Sequence, residues 1–110
     1  AIFRGTLDVR ARTITDEMAI AAAQEMARTA EEHGLSPEYI MPRMDDVEVF
    51  LRQAAAVAVK AVEQDIARFE TTYEEEYERA RCMIEQAHAM TDVLQREGFI
   101  PEKPTLTGEE

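Results

Sequence analysis

The sequence has no tryptophan, one cysteine, four glycines and four prolines, and aromatic residues fill only 6% of its 110 positions. A lone Cys82 excludes an intrachain disulfide, and a thiolate metal site would need a second chain. Such cysteine usage fits a reducing, cytoplasmic setting. Long apolar runs are missing as well: none approaches the roughly 20 residues that cross a bilayer. The start lacks the basic, apolar and small-residue order of a signal peptide, so a soluble protein without a membrane partner is expected. Cations are scarce, 12 Lys and Arg against 23 Asp and Glu, for a net charge of −11. That excludes a sequence-independent grip on nucleic acid, which needs clustered cations to displace counterions from phosphates. Neither a Gly-x-Gly-x-x-Gly nor a Gly-x-x-x-x-Gly-Lys loop occurs, so no phosphate cradle can be assigned.

What is abundant is alanine. Burial yields roughly 25 cal/mol per Å² of apolar surface, so a core of Ala, Val and Met gains little unless its elements dock closely. Residues 16–33 read as a helix capped by Thr15, with Asp16 and Glu17 at the positive end of its dipole and Gly34 as its stop. Its expected apolar face is Met18, Ala19, Ala22, Ala23, Met26, Ala27 and Ala30. Ser36 and Pro37 allow at most a short turn, and Pro42 keeps Met41 extended. A second helix is expected from Asp45 or Asp46 through VEVFLRQAAAVAVKAVEQ. Because Ala54 to Val59 are apolar on every side, this helix must be buried all round, which is hard to arrange without more protein. The third helix opens at Thr72 and Glu75 in capping-box spacing and stops at Gly98. Its stripe of Tyr73, Tyr77, Ala80, Ile84, Ala87, Thr91 and Leu94 has the spacing of a bundle seam, with Glu74, Glu76, Glu78, Arg79 and Arg81 on the polar side.

Few residues invite chemistry. The run EEEYER could suggest a hard cation, but successive glutamates point about 100° apart around a helix and cannot converge on one ion, so it reads as a solvated face. Glu85 and His88 have the Glu-x-x-His spacing of di-iron bundles, yet the second copy such sites need is missing. His88 reads as a surface histidine that can pair with Asp92. Cys82 sits inside a helix, where a free cysteine is more often packed than nucleophilic. The methionines lie at helical spacing, as core filler does.

The opening run IFRGTLDVRARTITDEMAIAAA resembles the stretch of bacterial and archaeal malic enzymes that usually reads Phe-Pro-Gly-Ile-Phe-Arg-Gly-Ala-Leu-Asp-Val-Arg-Ala, followed by an Ile-x-x-Glu-Met helix start. LSPEYIMPRMDDVEVFLRQAAAVAVKAVEQ and REGFIPEKP are similar to later parts of that family's final segment. Ala1 stands where the family usually has glycine, Thr6 where alanine is common, and Asp65 where glycine is common. The resemblance implies a C-terminal segment, beginning within the loop that leads out of the active site. The substrate-binding asparagine, catalytic lysine and tyrosine, metal carboxylates and dinucleotide fingerprint of the family would all lie upstream.

The expected fold class is all-α as an isolated fragment: three main helices plus a short N-terminal helix, normally packed on the α/β Rossmann-type body of the parent. Residues 1–12 would form the helix following the active-site loop, with its turns over Phe3 to Val9, 13–98 the three-helix region, and 99–110 a frayed tail. By resemblance the parent oxidatively decarboxylates L-malate to pyruvate and CO2 using NAD or NADP and Mg or Mn. The chain alone would carry no catalytic, cofactor-binding or metal residue and would be inactive. Arg4 and Asp8 are the polar motif residues nearest the loop, candidates for supporting it from behind or anchoring the helix. The expected partners are the remainder of the parent and further copies in a homo-oligomer. The alternative is a stand-alone helical dimerisation module.

Overall fold

The computed structural model describes residues 1–104 and is helical: α1 (Ile2–Asp8), α2 (Asp16–His33), α3 (Val47–Glu63) and α4 (Tyr73–Arg96). No strand occurs among the described residues; the segment between α2 and α3 holds only an isolated bridge, in which Ser36 and Tyr39 exchange backbone hydrogen bonds of 3.1 Å each. Thus the expected class holds: three main helices and a short N-terminal one. The expected tail falls partly on residues 105–110, which lie outside the described residues.

Local chemistry sets the helix starts. The Thr15 hydroxyl accepts from the Met18 N–H at 3.2 Å and itself donates to Gln64 Oε1 at 2.7 Å, so the cap of α2 is tied to the end of α3. Asp46 caps α3 by accepting from the Glu48 N–H. Thr72 and Glu75 satisfy each other's backbone N–H groups at the start of α4, a reciprocal box that removes two orphan donors.

The middle of the molecule is α3, with α1, α2 and α4 all packed against it. Ala54, Ala55, Val57, Ala58 and Ala61 are buried. The chain's other three helices cover most of this stretch, while Ala56 and Val59 stay half-buried, so the expected burial on every side holds only in part. One half of the core joins Val9, Met18, Ala22, Val57, Ala58 and Ala61; the other joins Leu51, Ala54 and Ala80, flanked by Tyr77 and Ile84. Close approach makes so small a core work. A Cβ placed on Gly5 would lie 2.4 Å from the Ala54 carbonyl oxygen and 3.0 Å from Val57 Cβ, so α1 touches the backbone of α3 directly.

Two helix faces differ from expectation. On α2 the buried face includes Ala21, Glu25 and Thr29, while Ala19, Ala23 and Ala27 are exposed. The polar pair is accommodated because the Thr29 hydroxyl donates to the Glu25 carbonyl and the Glu25 carboxylate meets arginines. On α4 the seam is buried or half-buried only as far as Ile84; Ala87, Thr91 and Leu94 are exposed, because the helix outruns the body it packs on.

Below α1 the chain is knotted to the segment after α3. The Val9 carbonyl accepts from the Arg68 and Phe69 N–H groups, Arg12 N–H donates to Ile66, and the Arg10 guanidinium lies 4.9 Å from the Phe69 ring centre. Asp65, at the turn, has φ +55°, a left-handed conformation that explains why glycine suits this position. Its carbonyl accepts from Arg12.

Gly5→Ala is expected to lower stability by about 1–3 kcal/mol in urea unfolding, since neither the Ala54 backbone nor the α1 helix can move aside cheaply. Asp65→Val should also destabilise, by about 1 kcal/mol or more, whereas Asp65→Gly should be neutral or mildly stabilising.

Candidate functional site

The two polar motif residues meet on one face of α1. Four residues apart, they form an ion pair: Arg4 Nε donates to Asp8 Oδ2 at 2.9 Å, and Arg4 Nη2 to Asp8 Oδ1. The Asp8 side chain is only 7% exposed, so this pair lies at the edge of the packed interior.

Behind it stands a residue that sequence reasoning placed in solvent. Glu76 is fully buried (0% exposed) between α4 and α1. Arg79 Nη1 donates to its Oε2 at 2.7 Å, while Oε1 has no hydrogen-bond donor. Burial, and then the nearby Asp8 carboxyl, push the Glu76 pKa up to about 8. A signal was available: Glu76 follows Tyr73 by three residues and precedes Ala80 by four, which puts it on the seam of α4. Composition hid it, because a glutamate within a run of glutamates reads as surface.

A second ionic cluster staples α2 to α3. Arg52 donates to Glu25 Oε2 at 3.1 Å and to both carboxylate oxygens of Glu32, while Arg28 closes on Glu25 Oε1. The hydrogen bond from Arg52 lowers the Glu32 pKa, and Glu32 in turn raises that of Arg52. Beside it the Gln53 amide donates to the Ala22 carbonyl at 3.0 Å, within the interior. Across α3, the Tyr77 hydroxyl donates to Glu48, and that bond, with burial, pushes the tyrosine up to about 12.

These arrangements join the helices to one another. Glu85 is engaged by Arg81 at 2.7 Å, and His88 is exposed. Cys82 is exposed rather than packed, and the Glu78 carboxylate 3.5 Å away raises its pKa, which disfavours the thiolate a nucleophile needs. Glu74, Glu75 and Glu78 are solvated as expected, but Glu76 is not. Among the described residues no three His, Cys, Asp or Glu side chains could hold a metal ion, and no helix is long and apolar enough to cross a membrane.

The other conspicuous features are uncovered apolar faces. Phe3 and Leu7 project from the outer side of α1, at 73% and 65% exposure. Beyond Ile84, α4 runs clear of the body, and Ala89, Met90, Val93 and Leu94 line an open groove with Gln86.

No family model matches the chain. Comparison with characterised proteins is more informative. The chain is 44% identical over 80 residues to the bifunctional malic/malolactic enzyme of Bacillus subtilis, a match covering 73% of this chain and 20% of that one. It is 42% identical over 67 residues to the NAD-dependent malic enzyme of Geobacillus stearothermophilus, and 40% over 81 residues to the NADP-dependent malic enzyme of Rhizobium meliloti. Among solved structures, the malic enzyme of Entamoeba histolytica superposes with a TM-score of 0.87 at 38% identity, over 94% of this chain and 21% of that one. That of Pyrococcus horikoshii gives 0.80 at 41% identity, over 87% and 22%. The chain thus spans a fifth or less of the length of the sequence relatives it matches, within their C-terminal part. Identity along the sequence and agreement of the backbone lead to the same parentage: this chain is homologous to the C-terminal part of the malic enzymes.

Proposed function

We propose that the chain is the C-terminal helical part of an enzyme that oxidises L-malate with NAD or NADP and decarboxylates the product to pyruvate and CO2. The observation that carries this reading is the TM-score of 0.87 over 94% of the chain against a malic enzyme, at 38% identity. The relatives' names include both NAD- and NADP-dependent enzymes, which is why either cofactor is proposed. Cofactor and Mg or Mn would be held by the upstream part of the parent, because the residues here offer neither a metal cluster among those described nor a phosphate loop. No step of the reaction is assigned to this chain.

Its own contribution is mechanical. Residues 1–12 form a short helix and turn, clamped to α3 through Gly5 and to the segment after α3 through Val9. The Arg4–Asp8 pair anchors α1 and keeps its polar face ordered. The remainder of the parent would cover Phe3 and Leu7, the exposed apolar side of α1. Homo-oligomer formation, through the bare distal half of α4, is part of the same proposal, as is a cytoplasmic location. The alternative of a free-standing dimerisation module draws no support from relatives that are all several times longer.

The 110-residue chain alone should give no malate-dependent reduction of NAD or NADP in the presence of Mg or Mn, and the parent polypeptide from the source cells should give it. A parent without that activity, or an antibody against this chain that detects only a 12.5 kDa native species, would refute the reading. Arg4→Ala in the parent should lower stability and turnover together; if neither changes, the anchoring role is wrong. Sedimentation of the isolated chain should depend on concentration, whereas a concentration-independent monomer would remove self-association.

A further inference from the structure

The orphan oxygen of Glu76 calls for a partner. A fully buried carboxyl oxygen without a donor is costly if the group is ionised, and native interiors rarely tolerate it. Asp8, on α1, is likewise nearly buried, with a side chain 7% exposed, and after burial its carboxyl is the group that raises the Glu76 pKa; it too is an acceptor when ionised. Two carboxyl groups can meet in this way only if one of them carries a proton.

We propose that Glu76 is protonated in the folded protein and donates from Oε1 to the Asp8 carboxylate, forming a proton-dependent latch that holds α1 against α4. Arg4 grips both Asp8 oxygens from the solvent side. Arg79 donates to the other Glu76 oxygen, which suits the carbonyl of a protonated acid. The remaining neighbours do not compete. On α3, Glu48 is held by Tyr77, Arg52 by Glu25 and Glu32, and Lys60 by Glu63. In the segment after α3, Asp65, Arg68 and Glu70 are exposed, and α2 comes near α4 at Tyr73, where Glu25 is taken up by Arg28 and Arg52. The latch joins elements 68 residues apart in sequence, and apart from it the direct contact between α1 and α4 is small.

The sign of the pH effect follows from the direction of the shift. Glu76 binds its proton more tightly when α1 is docked than when it is released, with a docked pKa of about 8 against an ordinary value of 4.5. The stabilisation is therefore complete below the ordinary value and is lost as pH rises through the window up to about 8.

The test is amide hydrogen exchange of the α1 peptide, read by mass spectrometry in the protein that carries this chain and corrected for the intrinsic pH dependence of exchange. In the wild type, α1 protection should fall by up to about tenfold per pH unit between about pH 5 and about pH 8, then level off. Glu76→Gln keeps an N–H donor toward Asp8 at every pH, so its protection should be flat across the same range. Should that variant fail to fold, Glu76→Met serves as well: it has no group to titrate at this position, so α1 protection, whatever its level, should not vary across the range. A wild-type profile that is flat, or a sloping one that either variant reproduces, overturns the latch.

Discussion

The distance between α1 and α3 governs the rest of this structure. Gly5 lets the short first helix lie directly on the backbone at Ala54, closer than any side chain would permit. From that contact follow the position of Val9 in the core, the pairing of the Val9 carbonyl with the Arg68 and Phe69 amides, and the placement of Asp8 beside Glu76. A seven-residue helix has little stability of its own, so its order is borrowed from α3. A core built of alanines makes such proximity necessary, because small side chains gain dispersion energy only when the elements that carry them nearly touch.

Electrostatics complements that thin core. With an excess of 11 negative charges, the chain gathers arginines where carboxylates would otherwise be buried unpaired: Arg52 and Arg28 around Glu25, Arg4 on Asp8. Burying charge is favourable only with a partner close by, and removing one member costs more than the pair contributes. The ionic groups at the helix junctions therefore act as constraints on register, while hydrophobic burial supplies the drive.

Much of this organisation was legible in the sequence. Thr15, Asp45 or Asp46, and Thr72 mark helix starts because their hydroxyls or carboxylate can cap the chain locally, and the structure places α2, α3 and α4 directly after Thr15, Asp46 and Thr72. Faces were harder to read. Ala19, Ala23 and Ala27 look apolar but are exposed, while Glu25 and Glu76 look polar but are buried. Periodicity weighs residue type and cannot see that an arginine from another helix will meet a carboxylate. The seam of α4 was identified over twice its packed length, since a helix can outrun its support without any change in pattern. Cys82 reads as packed from its place inside a helix, but it lies on the outward face of the packed part of α4, beside Glu78. The kinship with malic enzymes was legible from the opening motif, whereas the buried acid beneath it showed only as a seam position on α4, and its pairing with residues far away in the chain not at all.

The alanine-lined surface of α3 also bears on how this sequence can change over time. At Ala54, Ala55, Ala58 and Ala61 every natural replacement except glycine adds bulk where three helices already converge. Glycine in turn would weaken the helix itself by about 1 kcal/mol. Mutational drift is therefore squeezed out of the centre and into the loops and the free end of α4, leaving α3 the slowest clock in the molecule.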